Sequence, residues 1–111
     1  MAGHGRERRR LRRVMKRIPV QFETASVRSG GHIKNLSKQG VFVRSNVLPM
    51  PGDRVSLVIE RRDGSKVEAA GVVRWTTAQL GDPEIAQPGF GVELSAANRE
   101  FESFFEEILL H

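Results

Sequence analysis

The sequence predicts a mainly β fold: a small six-stranded antiparallel β-barrel with a C-terminal α-helix. Apolar residues alternate with polar ones through most of the chain, the two-residue period of strands that bury one face. Glycines, prolines and an Asp-Gly pair interrupt that alternation at short intervals, as hairpin connections do. After Ser95 the apolar period lengthens to that of a helix. Short strands in such number protect their edges by closing on themselves, so a barrel is expected rather than an open sheet.

The first alternation sets Ile18, Val20 and Phe22 against Pro19, Gln21 and Glu23, a half-buried strand running on towards Val27. Ser29-Gly30-Gly31 is the expected hairpin turn, because a glycine pair tolerates positive φ, and a short strand around His32 to Leu36 follows. Polar residues and a glycine break the pattern from Asn35 to Gly40. Val41-Phe42-Val43 is the next β run, and Leu48-Pro49-Met50-Pro51-Gly52 demands a loop. Val55, Leu57 and Ile59 alternate again. The Asp63-Gly64 pair then turns the chain, and Val67, Ala69 and the run from Val72 to Trp75 return as the partner strand. Residues 76–88 form a loop with two prolines, and Gly89 to Leu94 form the last strand. Phe101, Phe104, Phe105, Ile108 and Leu109 then lie on one stripe of a helix over residues 95–110, with Ser95 as its N-cap. That stripe is assigned to core packing.

A chain of 111 residues supports one hydrophobic core and not two. There is no cysteine, which removes disulfides, thiolate metal sites and cysteine nucleophiles together and is compatible with a reducing compartment. The positive N-terminus resembles the start of a secretory signal, but Lys16, Arg17, Pro19 and Gln21 interrupt the stretch from Val14 to Phe22, so no apolar core follows it. No stretch approaches the roughly 20 apolar residues of a membrane helix. The expectation is a soluble, cytoplasmic protein with no membrane partner. It divides into a flexible basic leader, residues 1–17, and a barrel with its helix, residues 18–111.

Catalysis requires a nucleophile or base held by partners, and the chain offers no such constellation. His4, His32 and His111 lie in three unrelated contexts without metal-ligand spacing. Glu100, Glu102, Glu106 and Glu107 belong to the polar side of the helix, where solvation explains them. No enzymatic activity, cofactor or metal site is expected.

Charge is distributed unevenly. Residues 6–17, RERRRLRRVMKR, hold eight basic residues against Glu7, a local charge of +7 in a chain of net charge +5, which leaves the remainder at 5 − 7 = −2. A charge run is ordinarily a solvated tail, but a short basic leader on a near-neutral domain points to a dedicated anion-contacting segment. Six arginines precede Lys16. Arginine presents a planar fork that binds phosphate oxygens or the guanine O6/N7 edge through paired hydrogen bonds. The second unusual segment is Asn35-Leu36-Ser37-Lys38-Gln39-Gly40. On an extended chain Asn35 and Ser37 face the same way, and Gly40 lets a ligand or a backbone approach closely.

Together these two segments resemble the PilZ family, bacterial receptors for the second messenger cyclic di-GMP, whose signatures are RxxxR in an N-terminal loop and (D/N)xSxxG on the barrel. The arginine run holds four overlapping matches, Arg6/Arg10, Arg8/Arg12, Arg9/Arg13 and Arg13/Arg17. The passage from Arg13-Val14 to Pro19-Val20-Gln21-Phe22 looks like the family's entry into its first strand and favours Arg9 and Arg13. Asn35, Ser37 and Gly40 match the second signature, and Val41-Phe42-Val43 and Gly89 to Leu94 look like the family's following and closing strands. Asn35 stands where aspartate is commoner, so an amide replaces a carboxylate and cannot take the paired N–H donors of a guanine edge through two oxygens.

The resemblance implies a PilZ-like barrel of the split-barrel type and a ligand, cyclic di-GMP, contacted by Arg8, Arg9, Arg13, Asn35, Ser37 and Gly40. Arg9 and Arg13 would meet phosphate and guanine O6/N7 and stack on the purine face, while Asn35 and Ser37 would bind guanine edges or ribose-phosphate. In the family an arginine just before RxxxR accompanies two mutually intercalated ligand molecules. Arg8 occupies that position, which implies an intercalated ligand dimer. The expected behaviour is a stand-alone receptor that orders its leader over the ligand and signals by contact with an unidentified downstream protein, in processes such as motility, biofilm formation or virulence. Two rivals stand beside it. One is a small basic β-barrel binding nucleic acid, disfavoured because only Phe residues and Trp75 could stack on bases. The other is a nucleotide-independent PilZ adaptor using its terminal helix as an interface.

Overall fold

Alternation along each strand decides which side chains enter the core. In β4 (Arg54–Glu60) Val55, Leu57 and Ile59 are buried and every residue between them is exposed; in β5 (Lys66–Thr76) Val67, Ala69 and Val73 are buried. The computed structural model describes residues 14–80, 87–95 and 98–110. With β1 (Val14–Glu23), β2 (Arg28–Ser37), β3 (Gly40–Arg44) and β6 (Gly89–Leu94), these strands close into an antiparallel barrel in the order β1-β2-β3-β6-β5-β4. The last strand in sequence thus sits between β3 and β5, and β1 closes the ring by pairing with β4 from Val20↔Ile59 to Glu23↔Ser56. The rings of Phe22 and Phe90 meet edge to face at the centre, with centroids 4.8 Å apart.

One of the turns differs from the sequence expectation. Ser29-Gly30-Gly31 lies within β2, paired with Phe22, Gln21 and Val20. The chain turns earlier, where the Thr24 hydroxyl accepts hydrogen bonds from Ser26 N (3.3 Å) and Val27 N (3.1 Å) and Thr24 N donates to Val27 O (2.8 Å). Gly31 is required instead by proximity: a Cβ there would overlap the Arg44 carbonyl and lie 3.2 Å from Ser45 Cβ. The Asp63-Gly64 turn forms as expected, with Gly64 at φ 88° and Asp63 Oδ1 accepting from Ser65 N at 2.9 Å and Ser65 Oγ at 2.6 Å. The Ser65 hydroxyl, followed by the Ser65 amide, holds the Asp63 carboxyl below its ordinary value. A 3-10 turn, Thr77–Leu80, follows β5 in the expected loop.

β1 begins at Val14, so residues 14–17, which charge alone groups with the leader, are already strand, paired through Val14↔Leu36 and Met15↔Asn35. The rest of the leader, residues 1–13, lies outside the described residues.

The helix α1 (Arg99–Leu110) starts four residues after Ser95, and Ser95 is not its N-cap. Asn98 occupies the cap position, its carbonyl accepting from Glu102 N at 3.0 Å. The reason lies in β5, whose edge runs past the end of β6 and would leave backbone groups unpaired. Ser95 N donates to Ala70 O (2.9 Å), and the Asn98 amide accepts from Ala70 N (2.9 Å) and donates to Ala70 O (3.0 Å). The Ala70 backbone is thereby satisfied by the segment entering the helix, and Phe101, Phe104 and Phe105 are buried against the barrel as the stripe predicted, with Ile108 half-buried. Leu109, also expected in the core, is 43% exposed because the last helical turn runs past the barrel wall. Phe101→Ala is expected to destabilise the fold by about 3–5 kcal/mol in urea denaturation, the cost of emptying a buried aromatic site. Leu110→Ala, at a side chain 83% exposed, should stay within about 0.5 kcal/mol.

Candidate functional site

Strict alternation would send every second residue of a barrel strand inward. In three strands an extra residue breaks that rule. The register of β1 shifts between Met15 and Ile18, that of β2 between Ile33 and Asn35, and that of β5 between Val73 and Trp75. A bulge leaves two consecutive residues on the same side and re-aims the side chains beyond it. In β5, Arg74 and Trp75 are therefore both exposed between the buried Val73 and Thr76. In β2, Lys34 and Asn35 both stay out of the core between the buried Ile33 and Leu36.

The shifts converge on one row of side chains across five strands. Met15 pairs with Asn35, Asn35 with Phe42, Phe42 with Gly91, and Gly91 with Trp75. Gly91 has a packing reason to lack a side chain, since a Cβ would lie 2.7 Å from Trp75 Cε2 and 2.9 Å from its Cδ1. The indole lies flat over that glycine and stacks on Phe42, with centroids 5.3 Å apart and an interplanar angle of 17°. One step along, Ser37, Gly40 and Glu93 pair in a second row. The two rows line an open cavity of about 730 Å³, which also takes in Gln39 and Arg74.

Of the residues expected from the sequence, Asn35, Ser37 and Gly40 meet in this cavity. Ser37 is 3% exposed and ties the hairpin, its Oγ accepting from Gln39 N (3.3 Å) and donating to Gly40 O (3.4 Å). A Cβ on Gly40 would stand 2.8 Å from the Val92 carbonyl oxygen, so the close approach this glycine permits is that of β6. Arg8, Arg9 and Arg13 lie outside the described residues. The segment that carries them is nonetheless continuous with Val14, whose neighbour Met15 pairs with Asn35 beside the cavity.

Sequence reasoning did not select Met15, Gln39, Phe42, Arg74 or Glu93, and weighed Trp75 only as a base-stacking residue. The detectable signal was the broken alternation at Val73-Arg74-Trp75-Thr76. Among the described residues, Arg74 and Glu93 are the charged groups lining the cavity, and they form an ion pair in which Arg74 Nε and Nη2 both approach Glu93 Oε1, at 2.8 and 2.5 Å. With both side chains more than half exposed, such a pair contributes little to stability, about 0–1 kcal/mol. It does fix two charged groups at the mouth of a cavity floored by aromatic rings and neutral polar side chains. That combination offers stacking and hydrogen bonding to a flat, polar molecule. Among the described residues no group of His, Asp or Glu is arranged to hold a metal ion, and no helix is long and apolar enough to cross a membrane.

The family model of the PilZ domain matches residues 7–109. The chain belongs to the PilZ family. PilZ domains are receptor and adaptor modules rather than enzymes. Its fold is similar to that of the Bacillus subtilis inhibitor of motility MotI/DgrA, at 20% identity and a TM-score of 0.68 over 93% of this chain and 52% of that one. It thus spans about half the length of MotI/DgrA. It is also similar to the PilZ domain of CeSA from a cellulose-synthesizing bacterium, at 18% identity and a TM-score of 0.60 over 90% of this chain and 99% of that one. No curated protein matches it in sequence.

Trp75 is the protein's one tryptophan, so the PilZ cavity can be followed by its fluorescence. Gly91→Ala is expected to lift the indole from the strand and to shift its emission maximum to longer wavelength, with the barrel's circular dichroism retained. An unchanged emission spectrum would show that the indole does not rest on Gly91.

Proposed function

We propose that this PilZ domain binds cyclic di-GMP between its N-terminal arginines and the bulged face of the barrel. The observation that carries the reading is the pairing of Met15 with Asn35, which starts the first strand beside the NxSxxG cavity only two residues after Arg13. On this reading the two signatures, separate in sequence, meet at one site. The ligand has two phosphates and two guanines. Arg9 and Arg13 take phosphate and guanine O6/N7 through their forked donors, and Arg8 supports a second, intercalated ligand molecule.

On the barrel side Asn35 offers an amide to a base edge or ribose-phosphate, and Ser37 with Gly40 shapes the hairpin against which the ligand lies. Trp75, 42% exposed and backed by Phe42, offers a π-face on which a purine can stack, a contact worth roughly 1–3 kcal/mol per base. The cavity volume falls in the range of small-molecule sites, about 300–1,000 Å³. Ligand binding orders the leader, and the resulting surface is read by a downstream protein in the cytoplasm, in processes such as motility or biofilm formation.

Calorimetric titration tests this directly. Micromolar protein should give heat with cyclic di-GMP, and Arg9→Ala and Arg13→Ala should each weaken binding tenfold or more, as removal of charge-assisted hydrogen bonds worth about 1.5–3 kcal/mol requires. Arg8→Ala should lower the stoichiometry from two ligands per protein to one. No heat with the parent protein, or arginine variants indistinguishable from it, sinks the receptor reading. Tight, strongly salt-dependent binding of a single-stranded oligonucleotide in place of the dinucleotide would favour a nucleic-acid function.

A further inference from the structure

The structure brings a carboxylate to the cavity that neither signature contains. Glu93 pairs with Gly40 on one side and Val72 on the other, so its side chain leaves the barrel in the same row as Ser37, one step from Asn35 and Trp75. Among the described residues it is the one acidic side chain lining the cavity. Arg74 brings two donors to Oε1, a geometry that orients the carboxylate at the cavity mouth. The chain also has an unmet requirement. Asn35 has one acceptor oxygen, whereas the Watson–Crick edge of guanine presents two adjacent donors, N1–H and the N2 amine, spaced to match the two oxygens of a carboxylate.

We infer that Glu93 is the guanine-specificity residue of this site, its carboxylate, steered by Arg74, accepting the N1–H and N2–H donors of the base that stacks on Trp75. This rests on the receptor reading above and assigns its selectivity. Adenine presents an acceptor at N1 and no N2 amine, so the carboxylate would face a lone pair there. A site that leaves a charged acceptor unmatched rejects the wrong base. Arg74 has the complementary task of positioning: as a weak, exposed partner it yields part of Oε1 to the base when the ligand enters, and it offsets the negative charge that would otherwise oppose a phosphate ligand.

The test is a cycle of two proteins and three ligands. Parent and Glu93→Gln, both checked by thermal melting, are titrated with cyclic di-GMP, cyclic di-AMP and the inosine analogue of cyclic di-GMP that lacks the N2 amines. For the parent, loss of the N2 amines should weaken binding on the order of tenfold and the adenine ligand should bind still more weakly, the discrimination expected of a paired contact. In Glu93→Gln the guanine ligand should weaken and its advantage over the inosine ligand should collapse to within about twofold. A structural role for Glu93 would lower affinity for guanine and inosine ligands equally and so overturn the assignment. Unchanged or tighter binding of cyclic di-GMP by Glu93→Gln would also overturn it, showing that Glu93 merely competes for Arg74. If the parent fails to bind cyclic di-GMP at all, the receptor reading falls and this assignment with it; a parent that binds while the variant keeps its selectivity removes the assignment alone.

Discussion

A closed barrel leaves few ways to place polar chemistry on its wall. Its interior is filled by Phe22, Phe90, Ile33, Leu36 and the other buried side chains, and every strand must deliver alternate residues to that interior. Everything functional must then sit outside, one residue in two. The bulges in β1, β2 and β5 relax that constraint without opening the ring. Each adds a residue whose absence would return the next side chains to the opposite face. Without the shift at Arg74, Trp75 would point into the core and Thr76 out of it.

The same constraint explains the glycines of the site. Gly91 has no side chain because Trp75 occupies the space above it, and Gly40 has none because the Val92 carbonyl approaches it. A motif glycine invites the interpretation that it clears room for a ligand. Here the crowding is internal, and the glycine lets β3 and β6 pair closely enough to bring Ser37, Gly40 and Glu93 into one row. Ser37 is likewise occupied in the hairpin while lining the cavity. Motif residues and architectural residues are largely the same atoms.

The helix illustrates how one segment meets two needs. Its buried phenylalanines extend the core, and Asn98 at its start satisfies the stretch of β5 that β6 is too short to cover. An unpaired edge at that point would be a template for association with other strands. Glu100, Glu106 and Glu107 stay exposed and Glu102 is half-buried, with weak pairing such as Arg61 with Glu107 at 3.8 Å.

Much of this was legible in the chain because period and turn chemistry are local. The alternation at Val55, Leu57 and Ile59, the Asp63-Gly64 turn and the buried phenylalanines of the helical stripe each depend on residues a few positions apart, and each formed as read. The Ser29-Gly30-Gly31 turn was misread because a glycine pair signals a tight turn and a close strand approach equally well, and only the nearness of Arg44 decides between them. The spacing of Asn35, Ser37 and Gly40 singled out half of the proposed site. The other half, Arg74, Trp75 and Glu93, left only the broken alternation at Val73-Arg74-Trp75-Thr76 as a signal, since a bulge exists only between two paired strands and its position depends on the partner's register. Sequence determined the barrel, its helix and the charge of its leader; tertiary pairing alone decided which side chains stand together on its outer face.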